Sequence, residues 1–276
     1  MDKKVLFLDI DGTLLDDQKK ISNENKSAID LMLQKGHKVI INTGRPLYGV
    51  TGIIKELSLE REGCYVLAFN GGLLYEPLTK KILFKSALSP ELIKMVSSEA
   101  IKEKIHIHMF DEWDVLCESH WEDDDLKYYL NRLPGLKYRI IPDNDLDNVY
   151  SYKISGVDQS SKERLVKFGD KLKSVSEGRI NAFLSHSTLL EIVISGQNKG
   201  TGIDKVMEVL GIDKSLSIAV GDEENDIPML EQAGIGVATA NAIQKLKDLA
   251  DMVTENDNNG SAVAEVINKL ILKDCN

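Results

Sequence analysis

Val5-Leu6-Phe7-Leu8, Val39-Ile40-Ile41 and Tyr65-Val66-Leu67-Ala68-Phe69 are short, nearly continuous apolar runs. Such runs without polar alternation predict strands buried on both faces, as in a parallel sheet. The stretches between them read as helices. Ser22 can cap one that runs to about residue 35, with Ile29, Met32 and Leu33 as its buried stripe and Gly36 as its stop. Pro46 precedes a second, over about 47–57. From about residue 83 the pattern changes. Helices over 90–104, 123–132 and 162–173 are interleaved with strands at 105–110, 113–118, near 138, and at 150–157, 179–184 and 189–194. Paired strands alternating with helices predict an antiparallel sheet with helices on one face. Strand–helix alternation then returns, with a helix over 198–210, a strand at 216–220, a helix to 232, a strand at 235–238, and helices over 243–249 and 261–272.

The first and last parts of the chain thus predict one α/β core, a Rossmann-like doubly wound parallel sheet of residues 1–84 plus 188–276. An α+β cap domain over 85–187 is inserted between them. A domain inserted at the ligand edge of such a sheet is a natural lid.

Composition narrows the function classes. A 42% hydrophobic and 28% charged chain of 276 residues is that of a soluble globular protein. Its net charge of −10 argues against a nucleic-acid partner, and an anionic substrate would need a metal or local cations to hold it. Cys64, Cys117 and Cys275 are far apart and form no CxxC, which predicts reduced thiols and a cytoplasmic location. No apolar stretch reaches membrane-spanning length or reads as a secretion signal.

Chemistry gathers where the predicted strands end. Asp9 and Asp11 follow the first run two residues apart, on one side of an extended chain, before the turn residue Gly12. Thr43 ends the second strand, Asn70 the third, and Asp222, Asn225 and Asp226 follow the fourth; Lys199 opens a helix. Singly, each has an ordinary explanation: Thr43, Asp222, Asn225 or Asp226 as helix caps, Lys199 as a solvated charge. Together they read as phosphoryl transfer through a carboxylate. A dianionic phosphate meeting an anionic nucleophile needs a hard cation and positive donors. Asp9, Asp222 and the Asp11 carbonyl suit Mg²⁺. Asp9 serves as nucleophile, Asp11 as acid and base, and Lys199 with the Thr43 hydroxyl as phosphate binders.

Asp9-Ile-Asp-Gly-Thr-Leu, Asn42-Thr-Gly-Arg-Pro, Asn198-Lys-Gly and Gly221-Asp-Glu-Glu-Asn-Asp resemble the four ordered motifs of the haloacid dehalogenase-like hydrolase superfamily. An insertion after the third strand is similar to the Cof-type phosphatase branch. Thr43-Gly44-Arg45-Pro46, Asn70-Gly71-Gly72 and Ala240-Asn241-Ala242 are similar to its sugar phosphatases. The resemblance implies a phosphoric monoester hydrolase that acts on small phosphorylated metabolites through an aspartyl-phosphate, with neither nucleic acid nor membrane as a partner. It implies the same roles for Asp9, Asp11, Thr43 and Lys199, and places Asn225 and Asp226 beside the Mg²⁺ ligands. Gly44, Arg45, Asn70, Gly71 and Asn198 become substrate- or phosphate-side contacts. Thr239 and Asn259 depart from the residues common at their positions, which bears on local packing.

Two alternatives share these residues: a phosphomutase or phosphotransferase of the same superfamily, and a receiver module phosphorylated on aspartate without turnover. The second lacks an acid placed like Asp11 to activate water. In the cap, His106 and His108 alternate and so share a face, as a cap surface or substrate contact rather than a zinc pair. The acidic run 122–125 suits a helix N-terminus. Trp113 and Trp121 are candidates to shape a pocket, and Glu191, near His186, to face the closed site.

Overall fold

The computed structural model describes residues 3–132, 135–142 and 145–273. Cys275 lies outside them; Cys64 and Cys117 are buried, and neither forms a disulfide among the described residues. The strands are β1 (Val5–Leu8), β2 (Lys38–Asn42), β3 (Cys64–Ala68), β4 (Leu73–Glu76), β5 (Lys81–Lys85), β6 (His106–Phe110), β7 (Val115–Glu118), β8 (Tyr138–Ile141), β9 (Lys153–Val157), β10 (Ile180–His186), β11 (Leu189–Ile194), β12 (Ser217–Gly221), β13 (Ile235–Ala238) and β14 (Met252–Val253). The helices are α1 (Asn23–Gln34), α2 (Thr51–Glu56), α3 (Pro90–Glu103), α4 (Asp124–Arg132), α5 (Lys162–Val175), α6 (Lys199–Leu210), α7 (Ile227–Gln232), α8 (Gln244–Leu249) and α9 (Ala262–Val266). The chain divides into two compact units. One holds the residues up to Arg45, Thr51–Lys85 and those from Asn198 on; the other holds Pro46–Val50 and Ser86–Gln197.

The first unit is built on a sheet of order β14-β13-β12-β1-β2-β3-β4-β5. It is parallel from β14 to β3, which fits the apolar runs that form it: every side chain of β1 is fully buried. Val5 and Phe7 of β1 and Ile40 of β2 pack with Ile203, Val206 and Met207 of α6, each contributing about 1.5–3 kcal/mol by leaving water. Ser22 caps α1 by accepting from Asn25 N, and Gly36 (φ +82°) ends it in the left-handed region. The helix expected over 47–57 begins as a 3₁₀ turn, Leu47–Val50, before α2. The antiparallel hairpin β4–β5 was not expected. Its outer strand carries lysines at both ends and is largely exposed, as suits a protected sheet edge, so it lacks the alternation that marks a half-buried strand.

The second unit has a sheet of order β10-β11-β9-β6-β7-β8. Its pairings are antiparallel except β7–β8, which is parallel, correcting the expectation of a wholly antiparallel sheet. The expected return to the first unit at residue 188 comes later, at Asn198. β11 pairs with both β10 and β9, so its apolar run is buried here. On one face, Ile107, Met109, Ile154 and Ile192 pack on Ile93 and Val96 of α3 and Phe168 and Leu172 of α5. Among the described residues no helix is long and apolar enough to cross a membrane.

The other face is polar yet buried. His106 and His108 share it as their alternation predicts, but they are 2% and 0% exposed rather than at a surface. Their Nε2 and Nδ1 atoms lie 3.1 Å apart, and His106 Nδ1 is 2.8 Å from Asp123 Oδ1. Glu191 pairs with Lys153 (2.7 Å) within this unit. Burial lowers both imidazoles below the ordinary 6.5. At His108 the neighbouring His106 and the Lys153 ammonium add to the effect, while Asp123 opposes it at His106. The folded unit therefore takes up these protons less readily than the unfolded chain. Stability present above pH 6.5 is lost as pH falls below it, with a slope of up to about 2.7 kcal/mol per pH unit for two groups. Urea midpoints measured from pH 7.5 to 5.5 should decline, and the decline should flatten in His108→Gln.

Candidate active site

The site is assembled at the carboxyl ends of β1 and β12, neighbours in parallel register with Leu8 opposite Val220. Asp9 N–H donates to Val220 O (3.1 Å), which fixes the backbone as the chain leaves the sheet. The next turn closes when Leu14 and Leu15 donate to Ile10 O, and Gly12 takes φ +81°. A Cβ on Gly12 would sit 2.2 Å from Asp222 Oδ2, so glycine is required both for the turn and for the approach of Asp222. Thr13 Oγ1 donates to Asp222 Oδ1 at 2.7 Å. Asp226 is drawn inward by a 3₁₀ turn, where its Oδ2 accepts from the N–H groups of Asp222 and Glu223 (3.0 Å each).

Lys199 enters from the first turn of α6. Asn198 caps that helix, accepting from Gly200 N and Thr201 N at 2.9 Å. The Lys199 ammonium is fully buried and donates to Asp9 Oδ1 and, at 2.6 Å, to Asp226 Oδ1. Carboxylate oxygens of Asp9, Asp222 and Asp226 all lie within 4.8 Å of one another, and all three residues are buried.

Three acids against one ammonium leave two negative charges uncompensated when all are ionised, and burial together with this crowding raises the Asp9 and Asp222 carboxyls. Burial pushes Asp9 up to about 7; the Asp226 and Asp222 charges add to this and Lys199 opposes it. Asp222 is pushed up to about 6 by burial and by Asp226 and Glu223, against its bond from Thr13. At Lys199 burial favours the neutral amine, but Asp9 and Asp226 outweigh it and hold the ammonium charged. Hard oxygen donors, close spacing and a deficit of two positive charges fit a divalent cation such as Mg²⁺.

The remaining expected residues divide. Asp11 does not join the buried acids. Its half-exposed carboxylate is gripped by Arg45 through Nε (2.9 Å) and Nη2 (2.6 Å) and by Lys19 Nζ (3.0 Å). Partial burial would raise its pKa, but Arg45 and Lys19 outweigh it and keep the carboxyl ionised below its usual range. Thr43 is buried and its Oγ1 accepts from Arg45 N (3.2 Å). Phe69, Asn70 and Gly71 all adopt positive φ, and this bend is tied to the Thr43 loop by Asn70 N–Thr43 O and Phe69 N–Arg45 O bonds. Gly44 lies against the Asn70 side chain, whose buried Oδ1 has no hydrogen-bond partner among the described residues. A Cβ on Gly71 would meet Asn198 O at 2.4 Å, so glycine lets this bend touch the start of α6. Asn225 is exposed, unlike the buried Asp222 and Asp226 on either side of it. Thr13 and Lys19 were missed. A hydroxyl just after Asp-Gly is a signal for the first, whereas Lys19 sits in a turn with no local mark of its target.

Residues 6–267 match the haloacid dehalogenase-like hydrolase family. The chain is 29% identical over 267 residues to 5-amino-6-(5-phospho-D-ribitylamino)uracil phosphatase YitU of Bacillus subtilis (strain 168), covering 94% of each. Among solved structures, a haloacid dehalogenase-like hydrolase from Bacteroides thetaiotaomicron is 27% identical with a TM-score of 0.85, over 98% of this chain and 100% of that one. TM0651 from Thermotoga maritima is 27% identical with a TM-score of 0.84, over 97% of each chain.

Proposed function

Since the chain belongs to the haloacid dehalogenase-like hydrolase family, we propose that it is a Mg²⁺-dependent phosphatase. Its substrates are small phosphomonoesters, sugar phosphates first among them, and its intermediate is an aspartyl-phosphate. The observation that carries this reading is the Lys199 ammonium bonded to both Asp9 and Asp226 beside Asp222. It supplies a nucleophilic carboxylate, a buried positive donor and a cation-binding acid cluster in one place.

Asp9 attacks phosphorus, forming an acyl-phosphate bond as the phosphorus–alkoxide bond breaks. Asp11 gives its proton to the departing alcohol and then takes one from the water that attacks the acyl-phosphate, releasing inorganic phosphate and restoring Asp9. The Arg45–Lys19 grip keeps Asp11 ionised, which suits the second step; for the first, the carboxyl has to leave that grip and carry a proton. Lys199 and the Thr43 hydroxyl hold phosphoryl oxygens, and Asn70 Oδ1, unpaired among the described residues, accepts from a substrate donor. Asp9, Asp222 and Asp226, with the Asp11 carbonyl, would hold Mg²⁺, which when bound offsets the charge of the acids and the phosphate. Sugar phosphates are favoured because the relative YitU is named for a phosphate carried on a ribityl chain.

The test is a panel of phosphomonoesters assayed for phosphate release with Mg²⁺ and with EDTA. Release is expected with Mg²⁺, to vanish in chelator and to return on adding Mg²⁺. No turnover of any panel member would end the reading, and turnover indifferent to chelator would remove the metal from it. Isomerised sugar phosphate without free phosphate would instead identify a mutase.

A further inference from the structure

β2 is apolar in its middle and ends in an amide. Asn42 is fully buried. β1 and β2 run in parallel register with Leu8 opposite Ile41, so Asp9 and Asn42 are the next residues on neighbouring strands. The Asn42 Nδ2 group reaches two acceptors, the main-chain oxygen of Lys199 at 3.2 Å and Met229 Sδ at 3.5 Å. A carbonyl and a thioether can only accept, so the chemistry of the neighbours fixes which way the amide faces. Asn42 Oδ1 is then left buried without a hydrogen-bond partner among the described residues. An unpaired buried oxygen is unfavourable, and a leucine of similar shape would end a buried strand without it. The amide is thus retained at a cost to stability, and its donor half is the part in use.

We propose that Asn42 is a positioning residue for phosphoryl transfer, tying the first residue of α6 to the end of β2 and so fixing the Lys199 ammonium relative to Asp9. This rests on the reading of Asp9 as nucleophile and Lys199 as phosphate-side cation. Lysine reaches its partners on a flexible four-carbon stem. If the start of α6 drifts, the ammonium can follow Asp9 and Asp226 by changing rotamer, keeping its ground-state bonds. What it loses is its fixed place relative to the oxygens where charge develops during transfer. Anchoring the Lys199 main chain removes that freedom before substrate arrives. Loss of the anchor therefore falls on the chemical step and not on substrate binding.

The experiment compares Asn42→Leu, which keeps the shape and removes the donor, with Asn42→Ala and Met229→Leu. Met229→Leu takes away the second acceptor but leaves the Lys199 bond. With Mg²⁺ and one phosphomonoester turned over by the unaltered protein, kcat should fall about tenfold in both Asn42 variants, with KM within twofold. Met229→Leu should stay within twofold in both constants. In protein labelled with ¹⁵N-lysine, the Lys199 Nζ resonance should shift or broaden in the Asn42 variants only. An unchanged kcat in either folded Asn42 variant overturns the proposal. So does an equal loss in Met229→Leu that follows melting temperature, since packing alone would then explain it. If Asn42→Leu does not fold, Asn42→Ala decides by the same criteria. Asp9→Asn run in parallel separates the two levels. Activity surviving in Asp9→Asn defeats the functional reading itself; its loss beside fully active Asn42 variants defeats only the role of Asn42.

Discussion

Asp9→Asn should abolish phosphate release, by roughly four orders of magnitude or more, as expected when an attacking group is removed from a concerted set. The substitution is close to isosteric, and an amide oxygen can still accept from the Lys199 ammonium that now bonds Asp9 Oδ1. It also removes one charge from a buried cluster that holds more acid than base; burial first, and the Asp226 and Asp222 charges after it, push Asp9 up to about 7. The variant should therefore fold, with a melting temperature at or above that of the unaltered protein. Two measurements check the case: steady-state phosphate release, and mass spectrometry of acid-quenched enzyme for a phosphorylated peptide containing residue 9. A folded Asp9→Asn protein that still turns over would remove the nucleophile from the mechanism.

Lys199→Met should cost both activity and stability. Methionine matches the stem but leaves Asp9, Asp222 and Asp226 buried together with no internal cation. Removing one partner of a buried ionic group typically destabilises by about 3–5 kcal/mol. The sign of the pH dependence follows. Without the ammonium, the acids of the folded variant bind protons more readily than in the unfolded chain, so they destabilise most when ionised. The deficit relative to the unaltered protein should be largest above pH 7, where Asp9 is ionised, and shrink on acidification as Asp9 takes up a proton. Denaturant midpoints of both proteins at pH 8 and pH 6 measure this, and a deficit independent of pH would contradict the charge account. A divalent cation should recover part of the lost stability without restoring turnover, since it supplies charge but not the donor on the phosphoryl oxygens.

Much of the fold was legible because its signals are local. The runs that became β1, β2 and β3 have apolar centres, Ser22 caps α1 as its position predicts, and α3 and α6 begin within a residue of the expected 90 and 198. The errors fall where burial is settled by distant partners. The boundary expected at residue 188 put β11 in the core, and only its pairing with β9 and β10 shows which sheet it joins. The lysine-ended β5 has no periodic signature: as an edge strand it pairs with β4 alone among the described strands, and only Leu83 and Phe84 pack on the core.

The same division runs through the candidate site. The order of elements along the chain was enough to bring Asp9, Asp222 and Lys199 to one sheet edge, since parallel strands joined by helices must present their carboxyl ends together. Where each side chain turns beyond that edge was decided in three dimensions. Asp9 and Asp11 share a side of an extended chain, yet the chain leaves the extended state after Leu8, and Arg45 and Lys19 take hold of Asp11. Asp226 is buried and Asn225 exposed, because a tight turn offers two N–H groups to the former. Periodicity specifies a face only while the backbone stays regular. Past the last strand residue, direction is set by whichever distant charge or N–H group the fold brings within reach, and that is a property of the tertiary structure.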